Sequence, residues 1–104
     1  MTQPNTKRLV TYDKLLASLA RTPDVLISGA VTRDANGAAT SAPVVWPDGT
    51  PGAYTALVLS SAFPGAVDSY KVTYGSPMTA TYTQPTVTRD ANGAAINVPA
   101  ITVS

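Results

Sequence analysis

Apolar and polar positions follow three rhythms along this chain. Between residues 11 and 22, Tyr12, Leu15, Leu16 and Leu19 keep the i, i+3, i+4, i+7 spacing that lines one face of an α-helix. Thr11 is placed to cap that helix, Asp13 lies in its first turn and Arg21 near its end, the order a helix dipole favours. Pro23 stops it, because Thr22 before the proline is pushed toward extended geometry. The spacing predicts an amphipathic helix over 11–22, short enough to need a surface to cover. Ahead of it, residues 1–10 are polar, contain Pro4 and show no period; they read as an extended arm.

From residue 23 onward the rhythm shortens toward two. Val25 to Arg33 reads as a first strand, and Ala38 to Trp46 as a second extended piece in which Pro43 signals an edge or a bulge. Trp46-Pro47-Asp48-Gly49-Thr50-Pro51-Gly52 is a strong turn signal. Ala53 to Ser60 follows as a strand with apolar residues on both faces, then a loop over 61–68 around Phe63-Pro64-Gly65. Tyr70, Val72 and Tyr74 alternate with Ser69, Lys71 and Thr73. After Gly75-Ser76-Pro77, Met78, Ala80 and Tyr82 alternate with Thr79, Thr81 and Thr83. Period two on both arms predicts a hairpin with one apolar face and one hydroxyl-rich face turned to solvent. Pro85 interrupts the ladder, and Thr86 to Ser104 supplies the last extended pieces.

The third pattern is a repeat. Residues 31–39 read VTRDANGAA, and residues 87–95 read the same nine letters at an offset of 56, which Pro43 and Pro99 also keep. Two copies do not make a solenoid. Each reads as one hairpin whose Asp-Ala-Asn-Gly suits a type I turn with glycine in the left-handed position, and the two would sit at equivalent places in a sandwich. The fold class expected is mainly β: a small β-sandwich or barrel-like domain over 23–104, carrying one short N-terminal helix and the arm.

Composition narrows what such a domain can do. Its 104 residues contain no Glu, His or Cys, which removes disulfides, thiol nucleophiles, Cys/His zinc sites and imidazole acid–base chemistry. Seven cationic and six acidic side chains give a net charge of +1, too balanced for a polyanion binder, so no nucleic-acid partner is expected. No apolar run reaches the length of a membrane span, and Met1 to Arg8 leads into no signal-type apolar stretch. Fifteen Thr and eleven Val, with nine Pro and seven Gly, fit short strands and frequent turns.

Few residues invite a chemical role. Asp34 and Asn36, like Asp90 and Asn92, stand two apart before glycine as at the start of a calcium loop. Both loops lack the further acidic ligands such a loop needs, so an ordinary turn is expected, with no metal and no cofactor. Arg33–Asp34 and Arg89–Asp90 are neighbours in a strand and point to opposite faces, so neither pair is a clamp. Trp46 and Tyr54, with Asp48 in the turn between them, read either as core anchors or as a sugar-stacking platform. Six Asp at turn and cap positions show no acid–base or nucleophile constellation, and no enzyme is expected.

Three long phrases resemble segments of structural proteins from tailed bacteriophages of actinobacteria. They are Ser41-Ala42-Pro43-Val44-Val45-Trp46-Pro47-Asp48-Gly49 through Gly52, Phe63-Pro64-Gly65-Ala66-Val67-Asp68-Ser69-Tyr70, and Tyr82 through Val103. The resemblance covers about residues 29–104 and carries no catalytic or ligand residue across. It implies a virion component, of capsid decoration or head-fibre type, located on the particle surface and bound to the major capsid protein or other virion proteins. On this reading Lys7, Arg8, Tyr12, Leu15, Leu16 and Leu19 form the partner interface, and self-association, possible as a trimer, buries the small apolar surface. The alternative it implies is a tail appendage binding host-surface carbohydrate through Trp46, Asp48 and Tyr54.

Overall fold

The computed structural model describes residues 16–104. The expected arm with Lys7 and Arg8, and the start of the helix with Thr11, Tyr12 and Leu15, lie outside the described residues. Residues 16–20 are helical. The fold is mainly β with one short helix, in agreement with the sequence. Its strands are β1 (Thr32–Arg33), β2 (Ala39–Val45), β3 (Pro51–Leu59), β4 (Val67–Tyr74), β5 (Ala80–Gln84), β6 (Thr88–Arg89), β7 (Ala95–Asn97) and β8 (Thr102–Val103). Six of them form an antiparallel sheet in the order β1-β2-β3-β4-β5-β8, and β6 with β7 forms a separate two-stranded sheet between β5 and β8 in the chain.

Alternation sets the register. Ala42, Tyr54, Val72 and Tyr82 lie opposite one another across four successive strands, and all four are buried. A one-residue slip in any strand would turn its member of this row to the other face. Val44 and Trp46 extend the row along β2, and Leu16, Ala20 and Leu26 cover it in the same core cluster. The helical stripe is therefore used inside the domain. Leu16 is 3% exposed and Leu19 packs half-buried against the core, so the expectation that Leu16 and Leu19 face a partner gives way to a core role. The Tyr70 hydroxyl fastens the helix end by donating to the Ala20 carbonyl at 2.5 Å.

Trp46 is 1% exposed and its indole N–H donates to the Thr73 carbonyl at 2.9 Å. Its ring tilts against Tyr74 and Tyr82 at centroid distances of 5.6 and 5.2 Å, a spacing typical of favourable aromatic pairs. That bond draws the Thr73 carbonyl away from the β3–β4 ladder. The Thr73 hydroxyl takes the vacated position and accepts from the Ala53 N–H at 3.0 Å. Gly52 makes this possible: a Cβ there would stand 1.9 Å from the Thr73 carbonyl oxygen.

Two expectations change. Val25 to Arg33 is not one strand. Pro23–Val25 forms a 3-10 turn, Ile27 makes a single bridge to Val44, and only Thr32–Arg33 joins the sheet. Pro23 favours the first turn of a helix, and Gly29, at φ +129°, folds the chain beneath the Pro43 ring, where a Cβ would meet Pro43 Cγ at 2.8 Å. The repeated hairpins also do not occupy equivalent places. The first belongs to the main sheet, and the second makes the small sheet alone.

Candidate attachment surface

The sequence offers two candidate regions, the aromatic turn and the repeated hairpins. At the aromatic turn, Trp46 and Tyr54 are 1% and 4% exposed, so neither ring can stack on a sugar. Tyr54 donates its hydroxyl to the Ala39 carbonyl at 3.1 Å. Asp48 closes its own turn by accepting from the Thr50 N–H at 2.9 Å and from the Tyr74 hydroxyl. These three residues hold the core and a turn together, which removes the platform on which the carbohydrate reading relied. Burial raises the pKa of Tyr54, helped by the Asp24 charge and opposed by Arg33. Tyr70 is pushed up to about 12, first by burial and then by Tyr54 beside it. Both phenols stay protonated and serve as donors.

The repeated hairpins share one set of bonds. Asp34 Oδ1 accepts from the Asn36 and Ala38 N–H groups, both at 2.9 Å, and Asp90 Oδ1 accepts from Asn92 and Ala94 at 2.9 and 3.0 Å. In each copy the glycine N–H bonds back to the aspartate carbonyl at 3.1 Å. The pairings Thr32↔Ser41 and Arg33↔Ala39 recur as Thr88↔Asn97 and Arg89↔Ala95, with a bulge at the same step. An aspartate oxygen that already takes two backbone donors is committed to shaping the turn, which is the ordinary-turn reading. Sequence reasoning missed the arginine in this device. Arg33 Nη1 donates to the Gly37 carbonyl at 2.8 Å and Arg89 Nη1 to the Gly93 carbonyl at 3.0 Å, each side chain reaching over its own turn. The repeat of Arg at the same offset before Gly was the available signal.

Both turns gather about the β3–β4 loop. A Cβ on Gly65 would meet the Asn36 carbonyl oxygen at 2.9 Å, and one on Gly93 would meet the Phe63 ring at 3.2 Å. The second hairpin is also clamped to β4: Arg89 Nε bonds Asp68 Oδ1 at 2.7 Å, Arg89 Nη2 bonds the Val67 carbonyl at 3.3 Å, and the Val87 N–H bonds the Asp68 carbonyl at 2.9 Å. A shallow depression of about 300 Å³ lies there, walled by Ser60, Phe63, Asp68, Val87, Thr88 and Arg89 among others. Asn36 and Asn92, exposed at the tips, make no side-chain hydrogen bond within the described chain.

Among the described residues no three His, Cys, Asp or Glu side chains cluster as a metal site would need. None of their helices is long and apolar enough to cross a membrane. What this arrangement offers is shape: two braced loops around a third, on a sheet whose surface is largely Thr, Ser and Ala.

Comparison with protein-family models, curated proteins and solved structures finds no match to this chain.

Proposed function

We propose that the chain is a non-enzymatic structural component of a tailed-phage particle, decorating or stabilising the capsid surface. The observation that carries this reading is the resemblance of three long phrases to virion proteins. Those phrases form β2 with its turn, the β3–β4 loop running into β4, and the run from β5 to β8. They supply the buried Trp46, the loop between the two braced turns and the whole second hairpin. The resemblance thus falls on residues that set the shape of the β body. A weakly charged surface rich in hydroxyls suits a protein displayed in many copies without adhering to unrelated surfaces.

In this reading attachment is carried by the N-terminal residues, Lys7 and Arg8 among them, with the major capsid protein or another virion protein as the partner. Leu16 is occupied with the domain's own core, so the burden on the arm is greater than the helical stripe alone implied. The tail-appendage alternative lacks its proposed ligand platform, because Trp46 and Tyr54 are buried.

The test is to purify particles of the encoding phage and count this chain per particle by quantitative mass spectrometry and density imaging. A stoichiometric surface component is expected. Its absence from the particle, or its location on the tail only, would overturn the proposal. Deleting residues 1–8 should lower occupancy while the purified domain stays folded; unchanged occupancy would take the arm out of the mechanism.

A further inference from the structure

We propose that the outer edge of β7 pairs with β7 of a second copy of this chain, making a two-fold dimer through a continuous four-stranded sheet. The internal repeat shows what the second hairpin lacks. In the first copy the hairpin's second strand, β2, does not end the sheet: Ser41 pairs with Thr55 and Ala42 with Tyr54 on β3. The positions 56 residues on are Asn97 and Val98, and β7 has a strand neighbour on one side only. Burial differs accordingly. Ala42 is 4% exposed, whereas Val98 is 39% exposed and Ile96, on the same side of the extended segment, 63%. An isolated two-stranded hairpin is marginal in water, and further pairing is what makes such a sheet stable.

Three observations select a second copy as the occupant. The edge carries no guard: residues 94–98 are Ala-Ala-Ile-Asn-Val, with no charge and no proline, whereas exposed edges are normally protected by such residues. The β1 edge, by contrast, carries Arg33 and a bulge. The segment is also self-complementary. An antiparallel two-fold centred on Asn97 sets Asn97 opposite its mate and places each Ile96 against the other copy's Val98, so both exposed apolar residues are covered at once. Finally, a net charge of +1 imposes little repulsion between copies. The contact is short, below the roughly 1,200 Å² of standard interfaces, so the dimer is weak and concentration-dependent. This inference stands apart from the virion reading: it concerns the purified chain and holds or fails whatever particle the chain belongs to.

The chain has no cysteine, so a single introduced one reports the geometry. Asn97 makes no side-chain hydrogen bond in the described chain, and Asn97→Cys would stand opposite its own copy at a separation a disulfide can span. Under mild oxidation Asn97→Cys is expected to form a covalent dimer at least about tenfold faster than Val103→Cys on the exposed β8 edge, which is the collision control. Sedimentation velocity of the unmodified protein from about 10 μM to about 1 mM should show a monomer–dimer equilibrium. Ile96→Lys should shift it to monomer without altering the circular dichroism spectrum. Equal crosslinking of the two cysteine variants, a monomer throughout that range, a trimer, or a dimer that survives Ile96→Lys would each overturn the proposal.

Discussion

The duplicated hairpin supplies its own control for an interaction energy. Arg33 and Arg89 occupy the same place in the same nine-residue motif and make the same bond to the glycine carbonyl of their turns, at 2.8 and 3.0 Å. Arg89 alone also binds Asp68 at 2.7 Å and the Val67 carbonyl at 3.3 Å, with side-chain exposures of 21% for Arg89 and 18% for Asp68. Arg33→Ala removes one exposed bond to a neutral acceptor and should cost about 0.5–1 kcal/mol. Arg89→Ala removes that bond and a charge-assisted one, and leaves Asp68 largely buried without its partner. The extra bonds should add about 1.5–3 kcal/mol, since hydrogen bonds to charged groups lie in that range and this pair is only partly solvated. On a domain this size each kcal/mol moves the melting midpoint by roughly 4–8 °C. Trp46 is the single tryptophan and is fully buried, so its fluorescence reports urea unfolding of both variants with one probe. A cycle with Asp68→Ala isolates the coupling, which should exceed about 1 kcal/mol and fall as salt rises. If the two arginine substitutions cost the same within about 0.5 kcal/mol, the Arg89–Asp68 pair contributes nothing beyond the shared brace and the reasoning fails.

Three further outcomes follow from the core. Gly52→Ala should destabilise by at least about 2–4 kcal/mol, because its methyl group would meet the Thr73 carbonyl at 1.9 Å and something must shift; a neutral result in a urea titration would remove the Trp46–Thr73 account of this opening. Leu16→Ala should cost about 2–5 kcal/mol in the isolated protein, as for a buried leucine, and a surface-like loss under about 0.5 kcal/mol would return the stripe to an interface. Tyr70 is held protonated when folded, with its pKa raised to about 12 from an ordinary 10.0. The folded state therefore binds more protons between those values, so stability is full below pH 10 and declines toward pH 12; Tyr70→Phe should flatten that decline, and an unchanged slope would refute the assignment.

Much of this architecture was legible because its causes are local. The period-two runs at Tyr70–Tyr74 and Met78–Thr83 became β4 and β5, with Tyr70, Val72 and Tyr82 facing the core as alternation requires. The Asp-Ala-Asn-Gly turns formed because each one is closed by bonds within five residues. The strand expected over Val25 to Arg33 failed for a nonlocal reason. Its branched residues suit a strand, yet the path is set by Gly29 passing under the ring of Pro43, fourteen positions away. The helical stripe was read correctly as apolar, but periodicity alone does not say whether an apolar face meets its own domain or another chain. Only the position of Leu16 against Val44, Trp46 and Val72 in one cluster answers that. The same ambiguity governed Trp46 and Tyr54, whose hydroxyl and indole donors find carbonyls inside the fold.

Identical sequence with unequal fate locates the limit of the local code. VTRDANGAA carries enough information to fix a turn, a bulge and an arginine brace, and it does so twice with the same bonds. It does not carry the decision about what lies beside the returning strand. That decision rests with the residues that follow. After Ala39 the chain continues into Ala42, Val44 and Trp46, an inward row that can only be buried if β3 pairs alongside. After Ala95 it continues into Ile96, Asn97 and Val98 before Pro99, whose carbonyl is taken by Gln84 at 2.8 Å. The row is then too short to build a second face, and the chain leaves to pair β8 with β5 instead. A copied hairpin dropped at the end of a meander thus keeps its own geometry and loses its neighbour, and Ile96 is left as the exposed counterpart of Thr40, whose hydroxyl in the first copy bonds the Thr32 carbonyl at 3.1 Å. Replacing Ile96 by Thr should restore that local bond to the Thr88 carbonyl and make the two hairpins match at one more position, while withdrawing the apolar group on which pairing with a second copy depends. Amide exchange measured at Asn97 in Ile96→Thr should therefore become independent of protein concentration while remaining concentration-dependent in the parent chain, and the same dependence in both would mean that the side chain at 96 plays no part in the contact.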